Sequence, residues 1–212
     1  GMLSRIKGQQ IEEKDLIWAL EKTSHQAQRA GQIIHRIRTF VKRSEPNRTP
    51  SEVLSMVNEA VELAEIELRR RNVRLSHYVA ARLPQLSVDP ILIEQVLINL
   101  MKNAAESIDN AERPVGKRHV ELRVVPKVIA AQNTVHFSVT DTGKGLPPQV
   151  MGRLYEAFFS TKVEGMGIGL NLCRTIVESH QGRITAENLY NADEVVGCCF
   201  SFWIPATAIS PH

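Results

Sequence analysis

Pro46 and Pro50 divide this chain into two stretches with different periodicities, and that division limits its fold more than any other feature. On the N-terminal side, from about Glu12 to Ser44, there is no proline and no glycine except Gly31. Apolar or small residues fall at Leu16, Leu20, Thr23, Ala27, Ala30, Ile34, Ile37 and Val41, in alternating steps of four and three. That is a heptad seam. A single helix would leave it in water, so the stretch predicts a long bundle or coiled-coil helix that needs partners. Leu3 to Lys7 reads as the end of a preceding antiparallel helix, with Gly8 as its stop. "SEPNRTP", Ser44 to Pro50, is then a linker between a helical region, residues 1–46, and a second domain, residues 47–212.

Beyond the linker, strand and helix patterns alternate. "SEVLSMVNEAVELAEIELRRR" predicts an amphipathic helix capped by Ser51. "VRLSHYVA" alternates like a strand. "DPILIEQVLINLMKNAAESI" predicts a helix with Asp89 as cap and Pro90 in its first turn. "HVELRVVPKV" and "TVHFSVTDT" predict strands joined by a turn near Ala131 to Asn133. "PPQVMGRLYEAF" reads as a short helix, and "GLNLCRTIVESH" as another closed by Gly182. "RITAEN" and "CCFSFWIP" form a final strand pair. Neighbouring strands joined as hairpins between helices predict an α+β fold, one mixed sheet covered by helices on one face.

Composition excludes several classes. Hydrophobic residues make up 43% of the chain, enough for a core, and the net charge of +3 is too small to argue for nucleic acid or an anionic membrane. The basic run Arg69 to Arg71 reads as a solvated helix end. Cys173, Cys198 and Cys199 are an odd set with two adjacent members, which gives no disulfide framework and suits a reducing cytosol. No apolar run reaches the ~20 residues that span a bilayer, and no signal peptide is present, so a cytoplasmic protein without direct membrane contact is expected. Gly1 before Met2 reads as a tag-cleavage scar, and the chain as a fragment.

Three stretches carry chemistry. In "NLMKN", Asn99 and Asn103 lie four apart on one helix face beside the stripe Ile93, Val96, Leu97 and Leu100. Two amides there need partners. An amide oxygen suits Mg²⁺, which takes its other ligands from water and phosphate, although hydrogen bonds to nearby backbone satisfy the amides equally. In "DTGKGLP", Asp141 ends a strand, and Gly143 and Gly145 let a flat ligand approach the backbone. An ionised carboxylate only accepts hydrogen bonds, so it favours the exocyclic amine of adenine over the carbonyl of guanine. A simple turn with a local Asp cap also fits. In "GMGIGL", glycines at Gly165, Gly167 and Gly169 run into a helix, leaving N–H groups and a helix N-terminus for phosphate oxygens. The preceding "FFSTK" supplies Phe158 and Phe159 as loop anchors that also pack in the core, and Lys162 to reach a terminal phosphate.

In this order, the motifs resemble the four boxes of the catalytic ATP-binding domain of sensor histidine kinases. "QVLINLMKNAAESI" is similar to their N box, "DTGKGLP" to the G1 box, "FFSTK" to the F box and "GMGIGL" to the G2 box. "GCCFSFWIP" is similar to the closing strand, and the resemblance runs from about Pro50 to Pro205. It implies the Bergerat α/β sandwich shared with gyrase, Hsp90 and MutL ATPases, with ATP and Mg²⁺ as ligands. It implies that Asn103 ligates Mg²⁺ and Asp141 binds adenine. Gly143, Gly145, Phe158, Thr161, Lys162, Gly165, Gly167, Gly169 and Leu170 would line the nucleotide, with Asn99, Asn103 and Lys162 in catalytic roles. "QAQRAGQIIHRIRTFVKR" resembles the second helix of the dimerisation bundle in the group of oxygen- and dicarboxylate-sensing kinases. A homodimer through that region and a response-regulator partner are implied.

Two departures matter. The family's phosphoacceptor histidine lies in a His-Glu motif followed by proline, and none occurs here. His25 and His35 read as solvated or interface histidines, so this stretch is expected to bind ATP without an acceptor of its own. The hydrolysing cousins carry a general-base glutamate where Asn99 stands, and an amide cannot take that proton, so slow hydrolysis is expected. Cys198 and Cys199 replace the threonine common in relatives, leaving a water-bridged adenine contact open. The rival readings are a Bergerat ATPase of the chaperone or repair type and a dimerisation module with a silent pocket.

Overall fold

From His119 to Val124 and again from Val135 to Asp141, buried side chains alternate with more exposed ones, which is the signature of a sheet with one covered face. The computed structural model describes residues 46–160 and 167–207, with Lys14, Ile17, Trp18, Leu20 and Thr23 of the N-terminal stretch. Contacts divide the chain into two compact units, Gly1–Ser44 and Glu45–His212. In the first, the five described residues are helical, and Ile17, Trp18 and Leu20 are all exposed. The remainder of the expected seam, with Leu3 to Lys7, His25 and His35, lies outside the described residues.

The second unit runs β1 (Thr49–Ser51), α1 (Val53–Arg70), β2 (Arg74–Val79), β3 (Leu86–Val88), α2 (Pro90–Asp109), β4 (His119–Ile129), β5 (Gln132–Asp141), α3 (Pro148–Met151), α4 (Gly169–Ser179), β6 (Arg183–Asn191) and β7 (Glu194–Pro205). The main sheet has the order β2-β4-β5-β7-β6. Its β2–β4 pair is parallel and the rest are antiparallel, while β1 and β3 form a separate antiparallel pair. The covered face presents Val120, Leu122 and Val124 from β4, Val135, Phe137 and Val139 from β5, and Phe200, Phe202 and Ile204 from β7. Phe137 and Phe202 are register partners with stacked rings 4.6 Å apart. Val57, Ala60, Ala64 and Leu68 of α1, Ile93, Val96, Leu97, Leu100 and Met101 of α2, and Leu172, Ile176 and Val177 of α4 complete this core. The expected α+β sandwich with helices on one face is therefore present. Among the described residues no helix is long and apolar enough to cross a membrane.

Local details differ from the sequence reading, each for a physical reason. Asp89 caps α2 as expected, accepting from the Leu92 N–H at 3.4 Å, with Pro90 in the first turn. Ser51 does not cap α1. It ends β1 opposite Leu86, its hydroxyl bonds to Thr49 O, and Glu52 takes the cap position without a side-chain bond. Pro50 sits inside β1, which tolerates proline because the pair has free edges. The turn between β4 and β5 is Ala130–Ala131, both at positive φ, the pattern of a type I′ hairpin. The helix expected from Pro147 to Phe158 holds only over Pro148–Met151. Nor is Arg71 a solvated helix end: it pairs with Glu67 at 2.7 Å and with Asp109, which also binds Arg118.

Gly182 does not supply the left-handed residue after α4. That residue is Gln181, at φ 61°, while a Cβ on Gly182 would stand 2.1 Å from Trp203 O. Gly182 serves close packing, and the strain falls on Gln181. Replacing Gln181 by glycine is expected to stabilise the domain by about 0.5–1 kcal/mol, read as a melting temperature about 2 °C higher.

Candidate functional site

Helix α2 carries three polar residues one turn apart, Asn99, Asn103 and Ser107. The first reaches α4, where Asn99 Nδ2 donates to Gly169 O at 2.8 Å and approaches Cys173 Sγ at 3.2 Å. The third reaches the sheet, where the Ser107 hydroxyl bonds to the Asp141 carboxylate and crowds Gly143. Asn103, half-buried, lies between them on the same stripe. One helix face thus joins the glycine stretch that opens α4 to the carboxylate that ends β5.

Asp141 is 2% exposed. Its Oδ1 accepts the Gly143 N–H at 2.7 Å, and the N–H of Cys198, its register partner on β7, also points at the carboxylate. Burial pushes its pKa up to about 6, against the pull of these donors and Ser107. The carboxylate is therefore ionised at neutral pH at a desolvation cost that a hydrogen-bond donor on a ligand would offset.

The Asp141–Pro147 loop is held from both sides. Arg113 donates from Nε to Thr142 O at 2.9 Å and from Nη2 to Gly143 O at 3.2 Å. Asn188 on β6 accepts the Leu146 N–H at 2.7 Å and returns Nδ2 to Leu146 O at 2.8 Å. Both glycines are required by space. A Cβ at Gly143 would meet Ser107 Oγ at 2.1 Å, and one at Gly145, where φ is +70°, would meet Val195 Cγ1 at 2.3 Å. Sequence reasoning missed Ser107, Arg113 and Asn188. The four-residue repeat after Asn103 could have found Ser107, and an asparagine inside a strand is a weak flag for Asn188.

The aromatic pair behaves differently from expectation. Phe158 is 76% exposed at φ 67°, so it packs in no core, and its N–H donates to Gly167 O at 3.1 Å. Phe159 is half-buried with the Arg153 guanidinium 4.2 Å above its ring. Leu154 and Tyr155 anchor the segment instead, and Asn171 of α4 donates to Tyr155 O at 2.7 Å. Gly167, at φ +65°, presses on the backbone of Phe158 and Phe159; Gly169 abuts Asn99, and Leu170 is half-buried against the core. Thr161, Lys162 and Gly165 lie outside the described residues. Burial pushes the thiols of Cys173 and Cys198 up to about 12, so both are neutral. Cys198 contributes its backbone N–H to Asp141.

A mixed sheet covered by helices on one face, with the α2 stripe joining the buried Asp141 carboxylate to the glycines that open α4, is the architecture of a Bergerat-type domain. The chain belongs to the family described as histidine kinase-, DNA gyrase B- and HSP90-like ATPases, which it matches over residues 88–208. It is 38% identical over 188 residues to the sensor protein FixL of Bradyrhizobium diazoefficiens, covering 89% of this chain and 35% of FixL. It is also 38% identical over 167 residues to the C4-dicarboxylate transport sensor protein DctS of Rhodobacter capsulatus, covering 79% of this chain and 24% of DctS. The chain thus spans about a third or less of these relatives. Among solved structures it is similar to the catalytic domain of the histidine kinase ThkA, with TM-score 0.59 and 28% identity, covering 76% of this chain and 96% of that one. The fold also matches full-length ShkA in complex with AMPPNP, with TM-score 0.72 and 24% identity, covering 95% of this chain and 41% of ShkA.

Proposed function

We propose that this chain is the ATP-binding catalytic part of a sensor histidine kinase, which transfers the γ-phosphoryl of ATP to a histidine on a bundle helix. The observation that carries this reading is the α2 stripe, which ties Asp141 and the start of α4 to one helix with Asn103 between them. Asp141 would accept the adenine amine, and Gly143 and Gly145 would face the ring. The opening of α4, with Gly167 and Gly169, would face the phosphates. Asn103 Oδ1 fits Mg²⁺: a neutral amide oxygen supplies one hard ligand and leaves the rest to phosphates and water. Bound there, the ion would neutralise charge on the transferring phosphate. Phosphoryl transfer needs placement and charge neutralisation more than covalent help.

Asn99 supports transfer to a delivered histidine over hydrolysis. Its amide nitrogen is committed to Gly169 O, so it orients α4 and offers no base for water. The remaining parts of the reading are a homodimer through the helical region and a response regulator as the downstream partner. ThkA, a structural relative, has been crystallised in complex with the response regulator TrrA. Incubating the protein with Mg-ATP and a separately supplied acceptor helix tests the proposal. Phosphohistidine on that helix with slow phosphate release is expected. Rapid steady-state phosphate release without transfer would support the chaperone-type ATPase instead.

A further inference from the structure

His180 is buried and plays no part in the site described above. It follows the last turn of α4. Its Nδ1 stands 2.8 Å from Ile176 O, an acceptor, so Nδ1 carries the proton. Its Nε2 stands 3.0 Å from the backbone nitrogen of Asp89 and accepts that N–H. Asp89 is the cap of α2, so the imidazole ties the end of α4 to the start of α2. The second tie is Asn99 to Gly169 O. The helices therefore run antiparallel with matched spans. Asp89 and Asn99 are ten residues apart, about 15 Å, and Gly169 and His180 are eleven apart, about 16 Å, at helical rise.

We infer that His180 is a positioning residue which fixes the axial register of α4 against α2, and thereby the placement of Asn103 relative to Gly167 and Gly169. The inference rests on the nucleotide reading above. The chain entering the domain is fastened at the same junction: the Asn47 N–H donates to Asp89 Oδ2 at 3.2 Å, and Arg48 Nη2 donates to Ser179 O. A displacement of residues 47–48 would reach the ends of both helices at once. The adenine end is held separately, by β5, β7, Arg113 and Asn188. A shift of α4 along α2 would disturb the phosphate end and spare the adenine end.

That asymmetry separates register from general stability. Affinities for Mg-ATP and for adenosine are measured by titration for the wild type, His180→Leu and His180→Gln. The leucine variant is expected to lose roughly tenfold in Mg-ATP affinity, as for one buried hydrogen bond, and less than about twofold for adenosine. The glutamine variant restores an acceptor for the Asp89 N–H and is expected to recover most of the loss. Equal losses for both ligands, or none, overturn the inference while leaving the nucleotide reading intact. Wild-type protein that binds neither ligand overturns both. Should the leucine variant not fold, hydrogen exchange at the Asp89 amide of the wild type decides. Mg-ATP is expected to slow it and adenosine to leave it unchanged, and an unchanged rate with Mg-ATP overturns the inference.

Discussion

Asp141→Asn is expected to weaken ATP binding by roughly ten- to a hundredfold, the loss of a hydrogen bond to a charged, buried acceptor. The substitution is nearly isosteric, so the pocket keeps its shape. What changes is the acceptor. Asp141 offers four lone-pair sites, and the Gly143 N–H, the Cys198 N–H and the Ser107 hydroxyl already compete for them. An amide has one accepting oxygen, and the protein's own donors would claim it. Its NH₂ group would face the adenine amine donor to donor. Calorimetry with ATP reads the effect, and unchanged affinity would remove Asp141 from adenine recognition.

The same carboxylate gives a pH signature with two opposite signs. Burial raises its pKa to about 6 in the folded protein, above the ordinary carboxylate value of 3.8. As pH falls through about 6 the group takes up a proton and stops accepting from adenine, so affinity for adenosine should fall. The contribution to folding runs the other way. Between about pH 4 and about pH 6 the native state holds more protons than the unfolded chain, so Asp141 costs stability above that window, and the cost is relieved as pH falls through it. The asparagine variant should lose both dependences. Adenosine is the suitable probe because it carries no titrating phosphate.

What the sequence made legible follows from range. The helix at Pro90, the Asp89 cap, the strand alternation and the Asp141–Pro147 loop are set by neighbours within a few residues, and each stands where periodicity and turn chemistry place it. Asn188 holds Leu146 across 42 residues and Arg113 holds Thr142 across 29, and no local pattern encodes such pairs. Gln181 shows the limit of reading glycine as a helix stop. Glycine at 182 serves a backbone approach to Trp203, and only packing reveals that the left-handed position falls one residue earlier. Phe158 fails for the same reason. An aromatic residue reads as core by composition, yet its positive φ and its bond to Gly167 turn it outward. Leu154 and Tyr155, close by in sequence, fill the core position instead.

Asn103→Ala is expected to slow Mg²⁺-dependent transfer to a supplied acceptor helix by about two to three orders of magnitude while leaving adenosine binding within about twofold. The cause is the division of labour along α2. Asn99 is occupied with Gly169 and Ser107 with Asp141, so neither can substitute for the amide between them. Removing that amide leaves Asp141 and its loop intact, because their supports are Ser107, Arg113 and Asn188. A few kcal/mol of lost charge neutralisation at the transferring phosphate is about two to three orders of magnitude in rate. Asn103→Asp separates metal ligation from simple space filling. A carboxylate keeps a hard oxygen in place and should retain metal-dependent activity that alanine lacks, with a shifted Mg²⁺ requirement. Transfer by the alanine variant at the wild-type rate, with the same Mg²⁺ dependence, would place the ion elsewhere and remove Asn103 from metal ligation.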